Sequence, residues 1–197
     1  MFIRTALDSE DLSVFTSNTD FIFTYSDLVP DRTVFEARYP HQQVVYIDRG
    51  LGDPDLKATI ADVEPHALTP ADLPKWWDDR HNRGAHWLTH YSDRNDRLAC
   101  VDALAGRPAY QWVATLDGTV HVDGFTPLGG PDIVQILGSA HLGFNADFSL
   151  VLNPAWRPSP NAVTKASLMT SVGMAANLAE EIHGELVSLE SALRQLP

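Results

Sequence analysis

Residues 57–65, KATIADVEP, are the stretch that most strongly indicates the fold of the chain. Segment 58–63 has the composition of a buried strand, and the carboxylates Asp62 and Glu64 stand at its end on either side of Val63. Side chains alternate along a strand, so residues two apart point to the same face. Both acids therefore lie together at the C-terminal end of one strand, where an α/β barrel places its chemistry. The alternative is a strand-to-helix loop, in which such acids serve as caps or solvated charges.

Strand-like and helix-like segments alternate on both sides of this motif. Strands are predicted at 21–25, 44–47, 58–63, 85–91, 109–114, 132–136 and 148–152, with a small hairpin partner at 120–122, and helices at about 30–39, 69–82 and 95–105. In Thr69-Pro70-Ala-Asp72, Thr69 fits the N-cap of a helix, Pro70 its first position and Asp72 its third, and Gly84 fits the end of that helix. The alternation favours parallel βα units. Between 47 and 58 there is no room for a helix, so we predict an α/β, TIM-barrel-like (β/α) domain that is one unit short.

Three regions are predicted along the chain. Residues 1–20 are polar and acidic and are interpreted as an arm, 21–160 as the barrel, and 161–197 as a C-terminal coiled-coil helix. In the last region apolar residues alternate spacings of four and three, as in a heptad. They are Leu168, Val172, Ala175, Ala179, Ile182, Leu186, Leu189, Leu193 and Leu196. The alternative is an amphipathic helix packed on the barrel, which needs a broader apolar stripe than this one.

Composition excludes several classes of function. The 197 residues carry a net charge of −12, which disfavours nucleic acid as a partner. No apolar run is long enough to span a membrane, and acids stand where a signal peptide would have its apolar core, so we predict neither a membrane partner nor a secretory signal. The single cysteine, Cys100, excludes an intramolecular disulfide and a cysteine-based zinc site.

Polar and aromatic residues mark the predicted strand ends, and a barrel would gather them at one mouth. They are Tyr25, Asp27, Asp48, Asp62, Glu64, Tyr91, Trp112, Asp117, Gln135 and Asp147. Carboxylates with Tyr and Trp are typical of sugar sites, because aromatic faces stack on pyranose rings and acids cleave the glycosidic bond. Crowded carboxylates repel, so one of them should keep its proton near neutral pH.

Histidines offer a metal hypothesis that the sequence does not favour. His86 and His90 lie four apart on a predicted strand, and the chain has eight histidines in all. No pair of histidines has the helical spacing with an adjacent acid that metalloproteases use. We therefore interpret the histidines as scattered surface or loop residues and predict no metal and no other cofactor.

Several short motifs, in order, resemble the glycoside hydrolase family 25 lysozymes and the short actinobacterial and phage glycoside-hydrolase-like domains. The motifs are DVE at 62–64, WLTHYSDRN at 87–95, YQWVATLDGT at 110–119, DIVQI at 132–136 and ADFSLV at 146–151. The resemblance covers about residues 20–156. It implies that Glu64 is the general acid and Asp62 its partner, that Asp27 and Asp147 are outer acids, and that Tyr25, Tyr91, Trp112, Asp117 and Gln135 line the substrate site. The chain departs from the family's opening strand, which is of Gly-Ile-Asp-Val-Ser type, because FIFTYSD at 21–27 keeps an Asp but not the flanking residues.

Two classes of function remain open at this stage. The first is an actinobacterial phage virion-associated tail or decoration protein whose lysozyme-like barrel binds or cleaves cell-wall glycan. The second is a non-catalytic structural or glycan-binding virion protein, and a free peptidoglycan-hydrolysing endolysin is a further alternative. The expected partners are cell-wall glycan and, through the C-terminal helix, copies of the chain or a virion protein, since repeated weak glycan contacts gain avidity. The expected location is the virion, or the host cytoplasm before release.

Overall fold

Residues 4–15, 19–53, 56–116, 131–142 and 145–156 are described by a computed structural model, in which eight strands close into one barrel. The strands are β1 (Arg4–Ser9), β2 (Phe21–Tyr25), β3 (Gln43–Asp48), β4 (Ile60–Val63), β5 (Thr89–Asp93), β6 (Tyr110–Ala114), β7 (Ile133–Leu137) and β8 (Asp147–Val151). Each strand pairs with the next in chain order, and β8 pairs with β1. The prediction of a mixed α/β barrel is confirmed at this level.

The last strand runs against all the others. Strands β1 to β7 run parallel to one another, whereas β8 is antiparallel to both of its neighbours, β7 and β1. The reason is the short connection of residues 138–146, because a parallel crossover needs a dozen or more residues. The predicted parallel arrangement therefore holds for all strands but the last. Since β8 is reversed, its first residue, Asp147, lies opposite Asp8 near the end of β1.

The prediction of an N-terminal arm over 1–20 is wrong for Arg4–Ser9, which is a barrel strand buried along its whole length. Its polar side chains made it look like a solvated segment. In the structure most of them are hydrogen-bonded: the Arg4 guanidinium donates to the carbonyl oxygens of Trp156 (2.5 Å) and Asn153 (3.1 Å), and the Thr5 hydroxyl donates to Asp20 (3.3 Å). The barrel thus begins well before residue 21.

Helices in the described residues are short. They are α1 (Arg32–Ala37), α2 (Leu73–His81), preceded by a 3-10 turn (Pro70–Asp72), α3 (Arg97–Ala103) and α4 (Ser139–Leu142). Between β3 and β4 the described residues hold no helix, as predicted. The ring nevertheless has eight strands, so what is reduced is the helical layer and not the barrel. The predicted start of α2 is confirmed, since the Asp72 carboxylate accepts hydrogen bonds from the Thr69 amide (2.9 Å) and hydroxyl (2.6 Å).

Aromatic side chains fill the barrel interior and close one of its poles. Phe23 packs edge-on against Trp112 (4.9 Å between ring centroids) and against Trp156 (5.7 Å). Trp156 is fully buried, and its indole Nε1 donates to the hydroxyl of Thr89 at the start of β5 (2.9 Å). This plug blocks the pole at which the parallel strands begin. The opposite pole, where they end, is called the mouth.

A buried ion network fixes α2 against the outside of the barrel. The Arg80 guanidinium bonds to Asp48 (2.6 Å) and Asp53 (3.0 Å), and it also donates to the carbonyl oxygen of Ala58 (2.9 Å). Asp48 accepts a further bond from the indole of Trp76 (3.1 Å). The expectation that Asp48 lies at the mouth is therefore wrong. Its neighbour Ile47 packs in the barrel interior, and strand alternation turns Asp48 outward.

Two predicted elements of secondary structure lie outside the described residues. They are the heptad helix over 161–197 and a small hairpin at 120–122. Within the described ranges, no helix combines the length and apolar character that a membrane span requires.

Candidate functional site

The acid pair, defined as Asp62 and Glu64, lies at the mouth as the sequence predicted. Asp62 belongs to β4 and points inward above Ile60, whereas Val63 between the two acids packs with the outer helices. Asp62 is only 4% exposed, and its Oδ1 has no hydrogen-bond partner among the described residues. Glu64 follows the strand and is exposed at the rim. One carboxyl is therefore sheltered and the other is accessible to a ligand.

Asp8 is a site residue that the sequence reasoning missed. It lies near the end of β1, is 5% exposed, and has an Oδ1 with no partner among the described residues. The signal that could have revealed it is the run Ala6-Leu-Asp-Ser9, a short β-favouring segment that ends in an acid like the others.

Asp147 reaches the same mouth from the start of β8, beside Asp8. Its carboxylate accepts a hydrogen bond from the Ser139 amide (2.7 Å) and another from the side chain of Gln135. Gln135 is buried, and its Oε1 has no partner in the described part of the chain. Gln135 therefore orients Asp147 from below and does not line an open surface.

Two tyrosines stand among these acids. The Tyr91 hydroxyl is hydrogen-bonded to the Glu64 carboxylate, and burial, reinforced by the charge of Glu64, raises the pKa of Tyr91 far above its ordinary value. Burial and the nearby charges of Asp8 and Asp62 likewise raise the pKa of Tyr25. Both phenols stay neutral, so Tyr91 is the donor in its bond to Glu64.

Trp112 lies beneath the mouth, although it was expected to line the substrate site. It is 1% exposed, its ring contacts Tyr91 edge-on (4.6 Å between centroids), and its Nε1 donates to the Ser149 hydroxyl (3.1 Å). Trp112 therefore supports Tyr91 and leaves no ring face open for stacking on a sugar. Strand alternation turns Trp112 into the barrel, and its position in the middle of β6 keeps it in the closed interior, below the mouth.

Asp27 lies at the rim but is bound to a cation. Its carboxylate pairs with Arg49 (2.8 Å), whose guanidinium also pairs with Glu10 and lies 4.8 Å from the centre of the Tyr25 ring. The structure thus places Asp27 in an ion pair and not among the free acids. Asp117, the remaining predicted site residue, lies outside the described residues.

The four acids Asp8, Asp62, Glu64 and Asp147 influence one another's protonation. Burial raises the pKa of Asp62 to about 7, with Glu64 adding to the rise and Arg49 opposing it. Burial is also the main cause that raises the pKa of Asp8 well above its ordinary value, followed by the charges of Asp147 and Asp62. Burial raises the pKa values of Glu64 and Asp147 as well, but hydrogen bonds to each carboxylate act in the opposite direction. Asp8 and Asp62 are thus the acids that most readily keep a proton.

A pocket of about 190 Å³ opens beside these acids, between the end of β1 and the start of β8. Its lining residues include Asp8, Glu10, Asp147 and Tyr25. We call it the β1–β8 pocket. Small-molecule sites usually measure roughly 300–1,000 Å³, so this pocket fits one chemical group of a larger ligand.

Among the histidines whose burial the structure describes, His90 departs from the expected surface or loop placement. It lies in β5, is 1% exposed, and faces the outer layer, where burial lowers its pKa to about 4. His86 precedes the strand and is not part of it. Within the described ranges, histidines, cysteines and acids form no group of three or more suited to hold a metal ion.

Comparisons with known proteins return no relative. No model of a known protein family matches the chain, and neither the curated proteins nor the solved structures include a detectable match. The resemblance to the family 25 lysozymes therefore stays a prediction, and the site is interpreted from its own geometry.

We expect Asp62→Asn to stabilise the protein at alkaline pH. The folded state holds the Asp62 proton up to a pH of about 7, above the ordinary range of an aspartate, so ionising this buried group costs stability as the pH rises. Removing the charge should increase the free energy of unfolding at pH 8 by ~2 kcal/mol, or roughly 4–8 °C in Tm, with little change at pH 4. Thermal unfolding measured at both pH values checks this. Asp102→Asn, on the exposed face of α3, is the matched control, and equal effects of both changes would contradict the assignment.

Proposed function

We propose that the protein is a glycoside hydrolase-like barrel that binds and cleaves bacterial cell-wall glycan at its mouth. The observation that carries the proposal is the convergence of the acid pair, Asp8 and Asp147 on one open end of the barrel, together with two neutral tyrosines. Glycoside cleavage requires one carboxyl group that donates a proton and one carboxylate that stabilises or attacks the oxocarbenium-like centre. This mouth offers carboxyl groups in both states.

The proton that the leaving oxygen receives belongs to the acid pair as a unit. Asp62 favours its protonated form near neutral pH, but it is sheltered, whereas Glu64 is exposed and can reach a ligand. The charge of Glu64 raises the pKa of Asp62, and acids that are coupled in this way titrate as a pair. In our proposal the pair shares one proton, and Glu64 delivers it to the glycosidic oxygen.

Asp147 supplies the opposite charge state. It accepts hydrogen bonds from the Ser139 amide and from Gln135, and both bonds favour its ionised form. An ionised Asp147 on the opposite side of the mouth can stabilise the positive charge that develops on the sugar ring. In this scheme the barrel is a TIM-barrel-like (β/α) fold with a reversed last strand, and the chemistry lies at the ends of the parallel strands.

A second candidate function is glycan binding without cleavage. The observation that favours it is the hydrogen bond from Tyr91, which lowers the pKa of Glu64 and so favours the ionised form of the expected donor. Attachment to a phage particle, or action as a free endolysin, depends on residues 161–197, which lie outside the described residues. Virion association and self-association through that segment remain predictions.

Activity measured against pH tests the proposal. We expect the purified protein to release reducing ends from actinobacterial peptidoglycan, with a rate that falls as the pH rises through about 7, because the acid pair then loses its shared proton. Release that continues to rise above pH 8 would contradict the shared proton. A complete lack of release between pH 4 and 9, with binding to the same walls, would support the binding function instead.

A further inference from the structure

The β1–β8 pocket contains an acceptor with no partner. Asp8 lines the pocket and is only 5% exposed, and its Oδ1 receives no hydrogen bond from the described residues. Buried polar atoms in folded proteins are nearly always paired, and leaving one unpaired is costly. A donor supplied by a ligand would remove this cost.

The charges around the pocket select the kind of donor. Three carboxylates contribute to its lining, those of Asp8, Glu10 and Asp147. Glu10 is already paired with Arg49, and Asp147 already accepts bonds from Ser139 and Gln135. Asp8 alone among the three has neither a cation nor a donor on its Oδ1, and it faces the like charges of Asp147, Asp62 and Glu64. A neutral hydroxyl could satisfy Oδ1, but only a positively charged donor would also offset this repulsion.

We propose that the β1–β8 pocket is a subsite for a protonated amine carried by an amino sugar, such as a de-N-acetylated glucosamine unit. The inference rests on the proposed function, because the pocket adjoins the acid pair at which a glycan would be cut. The volume of about 190 Å³ suits one substituted ring edge and not a whole oligosaccharide. The net charge of −12 also attracts a cationic polymer at long range.

Binding by two matched tetrasaccharides tests this subsite. The ligands are tetra-glucosamine and tetra-N-acetylglucosamine, which share the ring and linkage and differ in the charged amine. Calorimetry at pH 6 with the Glu64→Gln variant prevents turnover during the titration. We expect the free amine to bind about ten- to a hundredfold more tightly.

Variants locate the preference within the pocket. In the same background, Asp8→Asn should reduce it to about twofold or less, and Asp147→Asn should weaken it as a second test if the first variant fails to fold. Asp102→Asn removes the same charge from the outer surface and should leave the preference intact. Equal affinity for the two tetrasaccharides, or a full preference in both Asp8→Asn and Asp147→Asn, would overturn the inference.

Three further outcomes separate the possible failures. Tetralysine carries ammonium groups without sugar rings, and if it binds as tightly as tetra-glucosamine the amino-sugar assignment is wrong. If the wild-type protein cleaves tetra-N-acetylglucosamine but shows no amine preference, the subsite is wrong and the proposed function stands. If it prefers the amine but cleaves no glycan, the subsite stands and the hydrolase function is wrong.

Discussion

Glu64→Gln should lower the rate of glycan hydrolysis by about 10²–10⁴-fold, the usual contribution of a general acid. The amide keeps the volume of the carboxyl group but has no proton to give, and Glu64 is exposed, so the fold should tolerate the change. The measurement is the release of reducing ends per unit time, with Tm and glycan affinity recorded alongside. Glu36→Gln, on the exposed side of α1, is the control and should retain full activity.

The shared proton is tested more stringently by a double variant than by Glu64→Gln alone. Asp62→Asn should lose as much activity as Glu64→Gln, and the double variant should lose little more than either, because residues that act as a unit are not additive. If the two losses multiply in the double variant, the residues act independently. If Asp62→Asn is inactive while Glu64→Gln keeps most of its activity, Asp62 is the donor and our assignment of Glu64 is wrong.

Arg80→Leu should destabilise the protein by ~3–5 kcal/mol, the usual effect of removing one partner from a buried ion pair. The change leaves Asp48 without a cation and removes one of the two arginines that bond to Asp53. Urea unfolding at pH 7 measures the loss. Arg83→Leu, three residues along and exposed, should change the stability by less than about 0.5 kcal/mol.

The same network predicts how the loss depends on pH. Burial acts to raise the pKa of Asp53, but the Ala58 amide and the Arg32 and Arg80 side chains outweigh it and hold the pKa below its ordinary value. A lowered pKa means that the contribution is complete above the ordinary range of an aspartate and is lost as the pH falls through the folded-state value. The gap between Arg80→Leu and the wild type should therefore narrow in acid. An unchanged gap down to pH 2 would show that packing of the Arg80 side chain, and not its charge, supports α2.

Much of the fold could be predicted because its local signals agree with its packing. The Thr69 to Asp72 cap and the end before Gly84 define α2 within a residue or two. Strands such as β2 and β7 are mainly apolar runs bounded by polar turns. In these segments the apolar side chains are the buried ones, so composition and spacing are enough to predict the strand.

The first strand shows where such reasoning fails. Four of the six residues of β1 are polar or charged, yet all six are buried. Their partners come from distant parts of the chain: the carbonyl of Trp156 accepts from Arg4, and that of Asn145 accepts from Ser9. A sequence cannot reveal that a polar segment is satisfied by groups more than 100 residues away. Missing β1 meant missing Asp8.

The acids of the site divide in the same way. Asp62 and Glu64 could be placed together from strand alternation alone. Asp147 was predicted at the mouth with the other strand-end residues, but its place beside Asp8 could not be, because it depends on the reversed direction of β8. Asp27 has the right residue type at a strand end, but Arg49 arrives from the end of the next strand and pairs with it. Partners that arrive from another strand are set by register, which short motifs do not encode.

The position of Trp156 determines how the protein would be oriented when it is immobilised or fused at this residue. Trp156 lies at the pole where the parallel strands begin, and the mouth lies at the other pole. A bead, a sensor chip or a fused domain joined immediately after this residue would stand behind the barrel, with the acid-lined opening directed away from it. Attachment there is thus the orientation in which an immobilised sample keeps its opening accessible to long, insoluble polymers, and attachment through the rim loops would block it.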